Sequence, residues 1–145
     1  MFQHILVSTD GSEVAMKGVE QGLALAKAFG ARATIITVSD SILPYAGAGE
    51  VSAAVYQDYS IIQKQVADRA LASAREAAER IGVEAETVWR ENISPADGIV
   101  ETATERGCDL IAMASHGRRG LRRLILGSVA SEVLARSPVP VFVSR

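Results

Sequence analysis

Residues 109–114 read Asp-Leu-Ile-Ala-Met-Ala, residues 115–127 read Ser-His-Gly-Arg-Arg-Gly-Leu-Arg-Arg-Leu-Ile-Leu-Gly, and Ser128 follows. A short apolar run, a loop rich in Gly and Arg, and then helix-forming residues 128–136 make a strand–loop–helix unit. Working outward, residues 139–143 read as a closing strand. Upstream, Ser94-Pro95-Ala96-Asp97 is a helix start, with a capping Ser, a Pro suited to the first turn and an acid at the capping-box position. Ile99, Val100 and Ala103 give that helix an apolar stripe, and Gly107 ends it.

The amino-terminal half repeats the alternation. Residues 4–9, 32–38 and 84–90 read as strands. Val19, Leu23 and Ala26 mark a helix over 14–29 that stops at Gly30, and Ile62, Val66, Ala70, Ala74, Ala77 and Ile81 mark another that stops at Gly82. Residues 39–59, with Pro44, Gly47 and Gly49 and no clean period, are expected to be a long loop. The order β-α-β-α-β-α-β-α-β implies right-handed crossovers and a parallel sheet between two helical layers, a three-layer α/β/α domain over residues 1–145. Ligands of such sheets bind beyond the carboxyl ends of the strands, which directs attention to Thr9–Ser12 and Ser115–Ser128.

Composition narrows the classes. The chain has 145 residues, 48% hydrophobic and 22% charged, an ordinary globular balance. Its formal net charge of −2 argues against a surface built for nucleic acid. One cysteine, Cys108, forms no internal disulfide and fits a reducing compartment. No apolar run approaches a membrane span and no signal-peptide pattern opens the chain, so a cytoplasmic protein is expected.

Gly117 and Gly127 let backbone N–H groups approach an anion, and Gly127-Ser128 opens a helix whose amino end favours phosphate. The same residues also serve as plain turn and cap residues. Arg106, Arg118, Arg119, Arg122 and Arg123 make this region basic, as an anion-attracting patch or as a solvated face. No aromatics interleave with them, so no specific nucleic acid is expected. His116 is either a phosphate donor or a loop histidine bonded to backbone, and Asp10 either a ligand contact or a turn residue.

At this point the chain resembles the universal stress protein family along its whole length. Thr9-Asp10-Gly11-Ser12 after the first strand, residues 109–117, and Pro138-Val139-Pro140-Val141-Phe142-Val143 carry the resemblance. ATP-binding members carry Gly, two residues, Gly, nine residues and then Gly-Ser or Gly-Thr. Gly117, residues 118–126 and Gly127-Ser128 match, with Ala114 in place of the first glycine. The resemblance implies a five-stranded sheet of order 3-2-1-4-5 and an adenine-nucleotide site. Thr9, Asp10 and Val38 would line the adenine pocket, Gly117, Gly127, Ser128 and Val129 would surround the phosphates, and Met113 would also contact the nucleotide. It further implies ATP with Mg²⁺ or Mn²⁺ held through the phosphates, and a homodimer through the last strand at Val141 and Val143. No catalytic set and no protein metal ligands are visible, so at most slow ATP hydrolysis is expected. Strand one lacks the Ser-Gly-Gly-x-Asp-Ser signature of related adenylate-forming enzymes. The alternative reading is a nucleotide-free dimeric interaction module.

Overall fold

The computed structural model describes residues 1–41, 52–117 and 125–145. Five strands, β1 (His4–Ser8), β2 (Arg32–Ser39), β3 (Ala85–Glu91), β4 (Leu110–Ala114) and β5 (Val141–Ser144), form one parallel sheet of order β3-β2-β1-β4-β5. The helices are α1 (Glu13–Phe29), α2 (Ala53–Ile81), α3 (Pro95–Glu105) and α4 (Ser128–Arg136). The expected three-layer arrangement and strand order are both present.

The sheet is apolar on both faces, as a sheet covered by crossover helices must be. Ile5, Val7 and Ile35 point into one core with Val19 and Leu23 of α1 and Ala74 of α2. Leu6, Ile36 and Ile111 point into the other with Ile99 of α3 and Val133 of α4. Alternation along the strand sorts neighbouring residues to opposite faces.

Helix α1 sits unusually close to the sheet. A methyl group at Gly22 would lie 2.9 Å from Ala112 Cβ and 3.2 Å from Val7 Cγ2. Overpacking costs about 1–3 kcal/mol, while alanine gains about 1 kcal/mol over glycine within a helix. Gly22→Ala is therefore expected to destabilise by about 1 kcal/mol, read as a lower urea midpoint at unchanged slope. A higher midpoint would show that the helix can lift without loss.

Local signals fix the helix ends. Ser12, Ser52 and Ser94 accept from Ala15, Val55 and Asp97 N–H groups, and Gly30 and Gly82 end α1 and α2 at φ of 66° and 83°. The Asp97 carboxylate pairs with Arg136 on α4. One expectation needs correcting. Residues 53–59, read as loop, are the first turns of α2. Their amphipathic signal is missing because they pack on little: Val55 and Tyr56 are exposed, and burial begins at Ala67. The 42–51 part of the expected loop lies outside the described residues. At 29 residues, α2 is about 43 Å long. Its amino-terminal turns overrun the carboxyl ends of the strands.

Candidate functional site

The turn after β1 is built from its own side chains. Thr9 N–H donates to Ile36 O at 3.0 Å, Thr9 Oγ1 accepts from Gly11 N–H at 3.0 Å, and Asp10 Oδ1 accepts from Ser12 N–H at 2.9 Å. Gly11, at φ 81°, takes the left-handed conformation that the turn requires. Asp10 thus forms the Asx-type turn considered from the sequence, and its carboxylate also reaches the loop after β4. A methyl group at Gly117 would lie 2.5 Å from Asp10 Oδ2.

The loop after β4 closes on itself at Gly127. Gly127 N–H donates to Ser115 O at 2.8 Å, and a methyl group at Gly127 would lie 2.5 Å from that oxygen. Glycine is required there by this backbone approach alone. Gly127, not Ser128, is the N-cap of α4, and no side chain caps that end. Ser128 is exposed at the first helical position. The amino terminus of α4 therefore presents backbone donors and the Ser128 hydroxyl without a local acceptor side chain. Buried Ser115 holds the neighbouring imidazole, with its Oγ 3.0 Å from His116 Nδ1.

These turns border a cleft of about 780 Å³ at the carboxyl ends of the strands, well within the range of small-molecule sites. Thr9, Asp10, Val38, Met113, Gly117, Gly127, Ser128 and Val129 all line it. Val38 is pressed into place by α3, since a methyl group at Gly98 would lie 2.9 Å from Val38 Cγ2. The cleft also draws on residues that the sequence did not single out as site residues: Asp40 beyond β2, Gln63 and Val66 from the overrun of α2, Ser94–Ala96 at the start of α3, and Glu132 on α4. The Ser94-Pro95 helix start was the one available signal for these, and it was read as structure only. Among the described lining residues no Lys or Arg occurs. Arg118, Arg119, Arg122 and Arg123, the candidate basic patch, lie outside the described residues.

Ala114, at the first glycine position of the motif, lines the cleft but turns its methyl group toward α1. A methyl group at Gly18 would lie 3.1 Å from Ala114 Cβ and 3.0 Å from Ala114 N. Glycine at 18 leaves the room that the Ala114 side chain takes on the α1 side of the sheet. Cys108 is far from this chemistry. It is 5% exposed in the second core, and burial, with Asp109 adding to it, pushes its thiol up to about 11.

A model of the universal stress protein family matches residues 1–145. The chain belongs to that family. Universal stress protein MJ0531 of Methanocaldococcus jannaschii is 34% identical over 145 residues, spanning 100% of this chain and 83% of the relative. Universal stress protein YxiE of Bacillus subtilis is 32% identical over 151 residues, spanning 100% of both. Among solved structures, a universal stress protein in complex with cAMP superposes at a TM-score of 0.73 with 25% identity, over 99% of this chain and 97% of that one. Among the described residues no helix is long and apolar enough to cross a membrane.

Proposed function

We propose that this universal stress protein binds ATP in the cleft and acts in the cytoplasm as a nucleotide-dependent regulator in a stress response. The observation that carries the reading is the convergence, on one cleft, of an α4 amino terminus without a side-chain cap, the Gly117 and Gly127 turns, and apolar walls from Val38 and Met113. Thr9 and Asp10 take the ribose and base side, and Gly117, Gly127, Ser128 and Val129 the phosphates. The cAMP complex of a relative supports an adenine nucleotide.

Among the described residues no group of three His, Cys, Asp or Glu side chains is placed to hold a metal. Mg²⁺ or Mn²⁺ would accordingly travel with the phosphates, as Mg²⁺ usually does. The deciding measurement is mass spectrometry of nucleotide released from freshly purified protein, with calorimetric titration of the stripped protein. ATP in the release and saturable binding support the reading. A preparation that carries none and binds none overturns it in favour of a nucleotide-free dimeric module.

Turnover should be slow. Among the described residues no nucleophile–base set stands in the cleft beyond the Ser115–His116 contact, and we expect hydrolysis well below the about 10 s⁻¹ of a dedicated enzyme. A rate near that value, lost in Asp10→Ala or His116→Ala, would place the protein among ATPases.

A further inference from the structure

The cleft reaches over the strand ends onto both sides of the sheet. Val38, Met113 and Val129 belong to the side covered by α3 and α4. Along β2, alternate side chains point to opposite sides. Ile36 and Val38 take the α3 and α4 side, and Ile35, with Trp89 of β3, the side covered by α1 and α2. Thr37 and Ser39 therefore point toward α1 and α2, away from Val38. Both line the cleft, and Ala15 of α1 and Gln63, Val66 and Ala67 of α2 complete its wall on that side.

The polar groups of this second side are short of partners. Thr37 is 6% exposed, and among the described residues its hydroxyl forms no hydrogen bond. Nor is that hydroxyl sealed in the core: among the described residues the one fully enclosed side-chain polar atom without a partner is His4 Nδ1. The Thr37 hydroxyl therefore opens into the cleft that its residue lines. Ser39 is 8% exposed and accepts from Trp89 Nε1 at 2.8 Å. A hydroxyl carries one proton beside its two lone pairs, so Ser39 keeps a proton to donate, and no acceptor for it stands among the described residues. The half-buried Gln63 carboxamide likewise forms no hydrogen bond among them. Thr37 and Ser39 stand about 6.6 Å apart along the strand. Buried polar groups are nearly always hydrogen-bonded, so this set calls for an occupant.

We propose that the α1 and α2 side of the cleft is a separate binding site for a small uncharged polyol, a sugar or sugar alcohol, held by Thr37, Ser39 and Gln63. Each of these three groups both donates and accepts, which suits a ligand whose own polar groups are hydroxyls. Ala15, Val66 and Ala67 offer small apolar surface to its carbon chain. An anion would lack a counter-charge, since the described lining residues include no Lys or Arg and Asp40 stands at the rim. A cation would lack ligands: the Asp40 carboxylate takes the Ser41 N–H at 2.9 Å, and no group of three metal-binding side chains exists among the described residues. The site does not rest on the nucleotide reading, because it uses the opposite face of β2.

The experiment is a nuclear magnetic resonance titration of the whole chain with sorbitol. The chain has one tryptophan, so the Trp89 indole N–H reports directly on Ser39. The expected result is a saturable shift of that signal and of the amides of Thr37, Ser39, Gln63 and Ala67, with Met113 and Val129 unmoved. Thr37→Val should weaken binding about fivefold, the loss of one neutral hydrogen bond, and Thr37→Ser should retain most of the affinity. The Thr37 hydroxyl bonds nothing among the described residues, so Thr37→Val should not lower the melting temperature, which separates lost binding from lost folding. Gluconate, the carboxylate of the same chain length, should bind at least tenfold more weakly than sorbitol. Shifts that stay linear in sorbitol would mean that water alone satisfies these groups, and would overturn the proposal. Equal affinity in Thr37→Val, shifts centred on Met113 and Val129, or gluconate binding as tightly as sorbitol would overturn it too. Should Thr37→Val not fold, Gln63→Leu serves: affinity should again fall about fivefold, and unchanged affinity would refute the site.

Discussion

Ser128→Asp is expected to abolish most nucleotide binding while leaving the fold as stable as before, or slightly more so. Ser128 is the exposed first residue of α4, and no side chain caps that helix end. A carboxylate there meets the positive end of the helix dipole, worth about 0.3–1 kcal/mol of stabilisation. The same carboxylate stands where the proposed phosphates would lie. Two unit charges 4 Å apart repel by about 1 kcal/mol in water and about 4 kcal/mol near a protein surface. Affinity should therefore fall at least tenfold, about 1.4 kcal/mol. The opposed signs make this substitution more informative than one at Gly127, where any side chain strikes the Ser115 carbonyl with or without a ligand. Calorimetry that finds wild-type affinity in a variant of raised or unchanged melting temperature would remove the phosphates from this helix end.

Val141→Asp should break the proposed dimer. The two edges of the sheet differ. Edge strand β3 carries Glu86, Arg90 and Glu91, with Arg90 paired to Glu101 and Glu105 and Arg106 paired to Glu86. Edge strand β5 is Val141-Phe142-Val143-Ser144, without a charge, and its first three residues are only half-buried. Charged residues blunt an edge, and an uncharged apolar edge invites pairing with a second copy. A two-fold contact repeats each substitution on both sides, so a carboxylate at 141 would face its own image. We expect dissociation to tighten the requirement for protein by at least a hundredfold, about 2.8 kcal/mol. Light scattering that reports a 15.3 kDa particle for the wild type, or a dimer that survives the substitution, would exclude this interface.

The legible parts of the fold were those where a local rule coincides with a tertiary one. The strand interiors of β1, β2 and β4 are apolar because both faces are covered, and the Ser94 cap and the glycine stops act within a few residues of themselves. The start of α2 was not legible. An amphipathic stripe exists only where a helix has something to lie against, and residues 53–62 largely lack it, so Ile62, counted in the apolar stripe, is 56% exposed. The site divides in the same way. The turns after β1 and β4 announced themselves through glycines and a helix start. Gln63 and Val66 of α2 and Glu132 of α4 reach the cleft only through the tertiary placement of their helices, which no spacing in the chain encodes. The Arg106 link to Glu86 was equally hidden, since the two groups meet only through the crossover of α3.

The contact between Gly18 and Ala114 bears on how the glycine motif is read. The two positions share one small volume, and the methyl group that occupies it belongs to the strand rather than the helix. A methyl group at 18 would also meet the Ala114 backbone N at 3.0 Å and the Ser144 hydroxyl at 3.1 Å, so this turn of α1 is held bare by the strand backbone and by β5 as well as by the alanine. The alanine at the first position of the glycine motif therefore packs on α1, 96 residues upstream in sequence, and a motif read without its helix neighbour would misplace that methyl group.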